Sequence, residues 1–425
     1  MMKFIRNKIL VPILVGVFCG LAALLLKRST EFAEEHLFYF LVNTWYGLLL
    51  LVMPMTGLFI IWIGNRYVYK TSPNKGLGEV LEVIDGTKDS IKSSKIFTHF
   101  FNGFSTVSTG GSTGIEVSSV ISSSAIGNTA ATWAGFDQQG KKYLLIAGAA
   151  AGIAGLFNSP LGGLFFAIEV LADTLSFDLI GVIACSLIGS LLISIQFDHT
   201  SLFTPVHHIW SWRALPFFIV FSAVAAVIST YLTRLVVLCK SLFIKLMDGK
   251  KRVFVGGLLI GVGVFLFHST YGEGYQTIQS LLTGNLVAIN DGIFNGRLPP
   301  SLLLLSLAAV LIIKPLITSV TLASGGDGGV FAPSLFLGAV AGLLYSHSLN
   351  QWIAADLIEV NFVIVGMAAL LSASIQAPLT AVFLTTSITG NYDLFLPLLI
   401  TAFLSKMIAR KILPYTVYSY SRGVK

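Results

Sequence analysis

Apolar residues along this chain fall neither in strict alternation nor in narrow stripes but in long uncharged runs. Residues 9–26, 38–65, 214–233, 330–355 and 361–392 each hold 18 or more positions without a charge. A helix rises about 1.5 Å per residue, so roughly 20 apolar residues span a hydrocarbon core. The pattern predicts an all-α polytopic membrane protein with helices of unequal length. Some runs are interrupted by glycine: residues 105–114 read STVSTGGSTG and residues 322–329 read LASGGDGG. Glycine costs about 1 kcal/mol against alanine inside a helix, so neither segment is expected to continue as helix. Non-helical backbone at membrane depth persists only where protein or a wet cavity surrounds it. Both segments are therefore candidates for a pathway.

The same segments open a repeat. Gly110-Gly111-Ser112-Thr113-Gly114-Ile115 is echoed by Gly325-Gly326-Asp327-Gly328-Gly329-Val330, 215 residues on. Residues 151–168, AGIAGLFNSPLGGLFFAI, are echoed by residues 369–384, ALLSASIQAPLTAVFL, with Pro160-Leu161 and Pro378-Leu379 218 residues apart. Paired interrupted segments in two halves point to a transporter-type binding site. The expected division is a first membrane repeat, 1–196, a polar linker, 197–212, and a second repeat, 213–425.

Composition agrees. The 425 residues are 55% hydrophobic and 11% charged, against about 25% charged in soluble domains. The net charge of +7 sits at the ends of apolar runs, which fits positive-inside placement and argues against nucleic-acid binding. Residues 1–8, 234–252 and 411–425 are basic and are expected in the cytoplasm, with both termini there, in a bacterial-type inner membrane. The run 9–26 follows Lys3, Arg6 and Lys8 as a signal peptide would, but no small-residue cleavage site follows it. It is read as a retained helix. The chain ends soon after its last apolar run, so no regulatory domain is expected. Cys19, Cys185 and Cys239 stand apart, and His36, His99, His199, His207, His208, His268 and His347 are scattered. No metal, cofactor or nucleophile–base set is predicted, and hence no enzyme.

A glycine turn opening a helix presents unpaired N–H groups and about half a positive charge. Anions bind there without a lysine, and weakly enough to leave again, as conduction requires. Segments 111–115 and 328–331 have that composition. Tight turns between packed helices are the alternative, weakened by the repetition.

At this point the chain resembles the CLC family of chloride channels and proton/chloride antiporters. Gly328-Gly329-Val330-Phe331-Ala332-Pro333 looks like that family's GG-[IV]-F-A-P motif, and Lys314 and residues 321–325 before it also fit. Residues 147–169 resemble its A-A-G-x-A-x-x-F-N-x-P-L segment, residues 111–117 stand at its G-[RK]-E-G-P motif, and Thr416-Val417-Tyr418 stand at its pore tyrosine. The resemblance implies two inverted-topology repeats with broken helices, a homodimer in the lipid bilayer, and a central anion held by the N–H groups of Val330 and Phe331 and the hydroxyl of Tyr418. Tyr415 and Tyr420 are register alternatives, and an interfacial anchor is the other reading of Tyr418. Leu77, Gly78, Ser112, Thr113 and Gly114 complete the anion-binding set.

Three departures bear on function. The gating glutamate's position is Thr113, which carries no proton. The internal proton glutamate's position is Val170, after Glu169. The serine of the family's first motif corresponds to Leu77, unless a short deletion intervenes. These substitutions imply passive transport of chloride-like inorganic anions, by a voltage-independent or weakly gated channel or uniporter without proton coupling. The alternatives are a proton/anion antiporter using a non-standard carboxylate such as Glu116, and a fluoride-selective member. Glu116 is otherwise expected to be stabilised at a helix start. Asp327 is expected to form a turn, and Lys314 to attract anions or snorkel to an interface.

Overall fold

The computed structural model describes residues 6–42, 45–69, 76–198, 202–205, 209–285 and 302–420. His199, His207, His208 and the basic residues at both extreme ends lie outside them. The first repeat carries α1 (Val11–Ala33), α2 (Met53–Ile63), α3 (Gly78–Ile84), α4 (Ser94–Ser108), α5 (Glu116–Trp133), α6 (Gln138–Phe157), α7 (Pro160–Phe166) and α8 (Phe177–Phe197). The second carries α9 (Leu215–Leu246), α10 (Gly249–Leu266), α11 (Tyr275–Leu282), α12 (Leu303–Ala323), α13 (Phe331–Ile353), α14 (Glu359–Ile375), α15 (Pro378–Thr389) and α16 (Phe395–Ile412), and ends in the single turn α17 (Val417–Tyr420). Among the described residues, five helical stretches are long and apolar enough to cross a membrane: Lys8–Phe38, Phe177–Phe197, Trp212–Leu246, Leu303–Ala323 and Phe331–Ile353.

Local chemistry sets the breaks. Pro160 and Pro378 begin α7 and α15, where a missing N–H costs nothing. Two residues ahead of each, Asn158 and Gln376 adopt left-handed φ of 51° and 56° and end α6 and α14. Asp137, Ser159, Ser176 and Asp248 accept backbone N–H groups as N-caps. Two sequence boundaries shift. The uncharged run 38–65 is not one crossing, because α2 starts only at Met53, with Pro54 in its first turn. The segment 105–114 remains helical through Ser108, since its first residues lie ahead of the Gly110-Gly111 pair.

The repeat extends beyond the motifs to the helix crossings. An added Cβ on Gly148 of α6 would fall 2.4 Å from the carbonyl oxygen of Ser123 in α5. In the second half, an added Cβ on Gly366 of α14 would fall 2.1 Å from that of Gly338 in α13. These pairs are separated by the same 218 and 215 residues as the motifs. Their lack of a side chain lets the backbones touch. The halves meet at Gly114 and Gly329, which exchange N–H···O bonds of 3.3 and 3.2 Å in antiparallel sense. Equivalent segments thus pair head to tail, as inverted repeats require. At a second junction, Phe165 and Phe383 stack at 4.9 Å, and the hydroxyls of Ser159 and Ser387 lie 2.8 Å apart.

Candidate functional site

The Gly114–Gly329 bridge aims the N-termini of α5 and α13 at one another. Gly110 and Gly325, at φ of 94° and 103°, turn the chain out of α4 and α12 into the two crossing segments, a conformation that L side chains rarely adopt. Polar side chains fix the crossing. The Thr113 hydroxyl donates to the Gly329 carbonyl at 2.8 Å. The Ser112 N–H donates to Thr321 Oγ1 at 3.2 Å, and its hydroxyl lies 3.4 Å from that of Thr318. The Asp327 N–H donates to Thr106 Oγ1 at 2.9 Å. Thr113, the expected gate position, is thus fully buried with its hydroxyl committed to the bridge.

On one side of the bridge lies a cavity of about 650 Å³. Leu77, Gly78, Gly326, Gly329 and Tyr418 are among its walls, and Arg66, Lys240 and Arg252 make it basic. Tyr418 is buried, with its hydroxyl directed at the N–H of Val330, the residue before α13. The structure therefore brings Leu77, Gly78 and Tyr418 to one chamber, with Val330 beside the Tyr418 hydroxyl. Ser112, Thr113 and Gly114 form the bridge above it. Phe331 begins α13 and stacks on Phe157 at 5.7 Å.

Close to the cavity, Glu79 of α3 contacts Lys88 and Lys95 at 2.6 and 2.9 Å. Burial pushes its carboxyl up, but the two ammonium groups outweigh that and hold it below the ordinary carboxylate value.

On the other side of the bridge the chemistry is acidic. Glu116, the first residue of α5, is 1% exposed. Its Oε1 accepts the Tyr275 hydroxyl. Its Oε2 makes no full hydrogen bond but lies within electrostatic reach of the N–H groups of Glu116 itself and of Ala332 in the first turn of α13. Glu273 accepts the Ile115 N–H at 2.9 Å, and Glu34 accepts the Glu273 N–H at 3.3 Å. A cavity of only about 20 Å³ touches Lys27, Glu31, Glu116, Glu273 and Tyr275.

Lys314 is fully buried and donates to the carbonyls of Thr270 and Gly272 at 3.1 and 2.9 Å, so it neither snorkels nor faces the path. It holds the loop that presents Glu273. Sequence reasoning missed Glu34, Glu273 and Tyr275. The available signal was Gly272-Glu273-Gly274-Tyr275, an acid between glycines beside apolar runs.

Two other expectations change. Asp327 does more than turn the chain: Oδ2 contacts His99 Nδ1 at 2.7 Å, and Oδ1 accepts the Ser118 hydroxyl at 2.9 Å. Both acid and histidine are buried. Val170 lies in the wide turn 167–171 after α7, half-buried and apolar. Its neighbour Glu169 accepts the N–H groups of Leu379 and Thr380 at 3.1 and 2.8 Å, capping α15.

The family model described as voltage gated chloride channel matches residues 56–410. The chain is 26% identical over 421 residues to the H(+)/Cl(-) exchange transporter ClcA of Vibrio campbellii, covering 96% of this chain and 87% of that protein. It is 31% identical over 291 residues to the voltage-gated ClC-type chloride channel ClcB of Escherichia coli, covering 65% of this chain and 64% of that protein. Among solved structures, a slow cyanobacterial Cl-/H+ antiporter superposes with a TM-score of 0.81 at 20% identity, over 97% of this chain and 96% of that one. A CLC-type fluoride/proton antiporter gives 0.80 at 19% identity, over 97% of each chain. These likenesses overturn the expectation of a passive, uncoupled anion pathway. That expectation rested on missing carboxyls at Thr113 and Val170, whereas the relatives spanning the chain are named as proton exchangers. Thr113 carries no carboxyl, but that of Glu116 lies at the head of α5, beside Gly114 and the first turn of α13.

Proposed function

The chain belongs to the voltage gated chloride channel family, and from that premise we propose that it exchanges a small inorganic anion of the chloride class for protons, with Glu116 as the proton-carrying gate. One observation carries the reading: a buried carboxyl in the first turn of α5 leans toward the N–H of Ala332 in the first turn of α13. Those N–H groups would otherwise receive the anion. A carboxylate there competes with the anion, and a protonated carboxyl releases the place. Binding of proton and anion is thereby linked through one site.

The basic cavity fits the cytoplasmic mouth. Arg252 lines it and belongs to the basic segment 234–252, which positive-inside placement puts in the cytoplasm. Glu116 then faces the outer side, with both termini cytoplasmic. The reading retains a homodimer with one pathway per subunit. Val330, Phe331 and Tyr418 hold the anion next to the cavity, and Ser112, Thr113 and Gly114 hold the helix ends in register.

Glu116→Gln tests the assignment, because glutamine keeps the shape and loses the titration. In proteoliposomes the variant is expected to pass chloride while proton movement falls at least tenfold. Proton movement equal to wild type would remove Glu116 from the mechanism.

A further inference from the structure

Glu116 is one of two carboxyls at the outer helix ends. The other is Glu273, 3% exposed, whose Oε1 accepts the Ile115 N–H at the head of α5. Glu116 leans toward the head of α13. The two helices that meet at the Gly114–Gly329 bridge are therefore each faced by a carboxyl on the same side. Both carboxyls border the cavity of about 20 Å³, which has room for about one water. The cluster is incompletely satisfied, for Glu116 Oε2 is buried without a hydrogen-bond partner. Among the described residues neither glutamate enters a salt bridge. Both carboxyls thus stand at helix N-termini on this side of the bridge.

The surrounding charges come from every packed element. Tyr275 faces from α11. Lys27 and Glu31 face from α1, and Glu34 from the turn after it. Lys314 of α12 holds the carbonyls of Thr270 and Gly272 behind Glu273. Tyr418 stands on the inner side. Two like charges confined so closely, each on the positive end of a helix, titrate as a pair rather than singly.

We propose that Glu273 is a second proton-binding carboxyl of the outer gate, so that an anion passes only when both Glu116 and Glu273 are protonated or displaced. The proton comes from the outer solution. Its binding to Glu273 weakens the bond from Ile115 and frees that N–H for the anion. The inference rests on the reading of Glu116 as the gate, but it has a separate readout.

The experiment is chloride flux from proteoliposomes as a function of external pH, for wild type, Glu116→Gln, Glu273→Gln and the double variant, with proton flux recorded alongside. Glu116→Gln is expected to lose proton coupling yet keep a chloride flux that rises at least threefold on external acidification. The double variant is expected to be flat with pH. Glu273→Asp, which keeps a carboxyl, should retain the pH dependence that Glu273→Gln alters. A Glu116→Gln flux that is already flat with pH would overturn the proposal, and this arm needs no folded Glu273 variant. So would a Glu273→Gln profile that superimposes on wild type, which would leave Glu273 as a helix cap only. Absence of proton movement in wild type would instead refute proton exchange, and the two-carboxyl gate would still be judged by the chloride profiles.

Discussion

Glu116 and Thr113 show what a string of residues does and does not reveal. Matching glycines places the gate position at Thr113, and along the backbone Gly114 pairs with Gly329, its equivalent in the second half. Side-chain direction is not in the string. The Thr113 hydroxyl turns into the bridge, while the carboxyl of Glu116 folds back over Gly114. An added Cβ on Gly114 would fall 1.8 Å from Glu116 Oε2, so the carboxyl occupies the space that glycine leaves. Gly114→Ala is therefore expected to expel the carboxyl from its seat and to cut proton coupling about tenfold without touching a titratable group. Proton and chloride fluxes from the same vesicles check it, and wild-type coupling would mean the seat is unimportant. The place of Tyr418 beside the cavity was legible because its motif is local. Glu273 was not, since its partner Ile115 lies 158 positions away and no local pattern encodes that contact.

The interrupted helices are legible because their breaks follow from residue chemistry. Proline starts α7 and α15, and glycines end α4 and α12. The offset changes from 215 to 218 between the glycine and proline motifs, so the second half carries three more residues between them. Gly148 and Gly366 mark equivalent crossings, a repeat too sparse to notice without the contacts. Less legible was α3, where Leu77 stands near the expected hydroxyl ligand. Leu77 lines the cavity, and the helix is tied down through Glu79.

The charge of Glu79 makes a prediction for this element. A carboxyl held below its ordinary value in the fold adds stability that is present above the unfolded pKa of about 4.3 and lost as pH falls through the folded value. Glu79→Gln should lower the melting temperature of the purified protein at pH 7. The deficit should shrink as pH drops below about 4. A deficit independent of pH would assign Glu79 to packing alone.

Across the whole molecule the two ends of the pathway differ in width and sign. A basic cavity of about 650 Å³ faces one side of the bridge, and a carboxyl cluster around about 20 Å³ closes the other. Basic walls raise the local concentration of anions, and on the proposed reading carboxyls at the helix ends make anion entry depend on protons. The membrane fold and its two halves were readable from uncharged runs and repeated motifs, since both are properties of order along the chain. The uncoupled reading failed because two absent carboxyls were taken for the absence of any, whereas Glu116 and Glu273 converge near the bridge only in the fold. The central claim is that protons and anions compete for the same helix ends. The measurement that bears on it most directly is pH recording in proteoliposomes under a steep chloride gradient, with no proton gradient imposed and the voltage clamped. The account predicts that wild-type protein moves protons uphill in the direction opposite to chloride, in fixed proportion to it. Chloride flux with no proton movement above that of protein-free vesicles would contradict it.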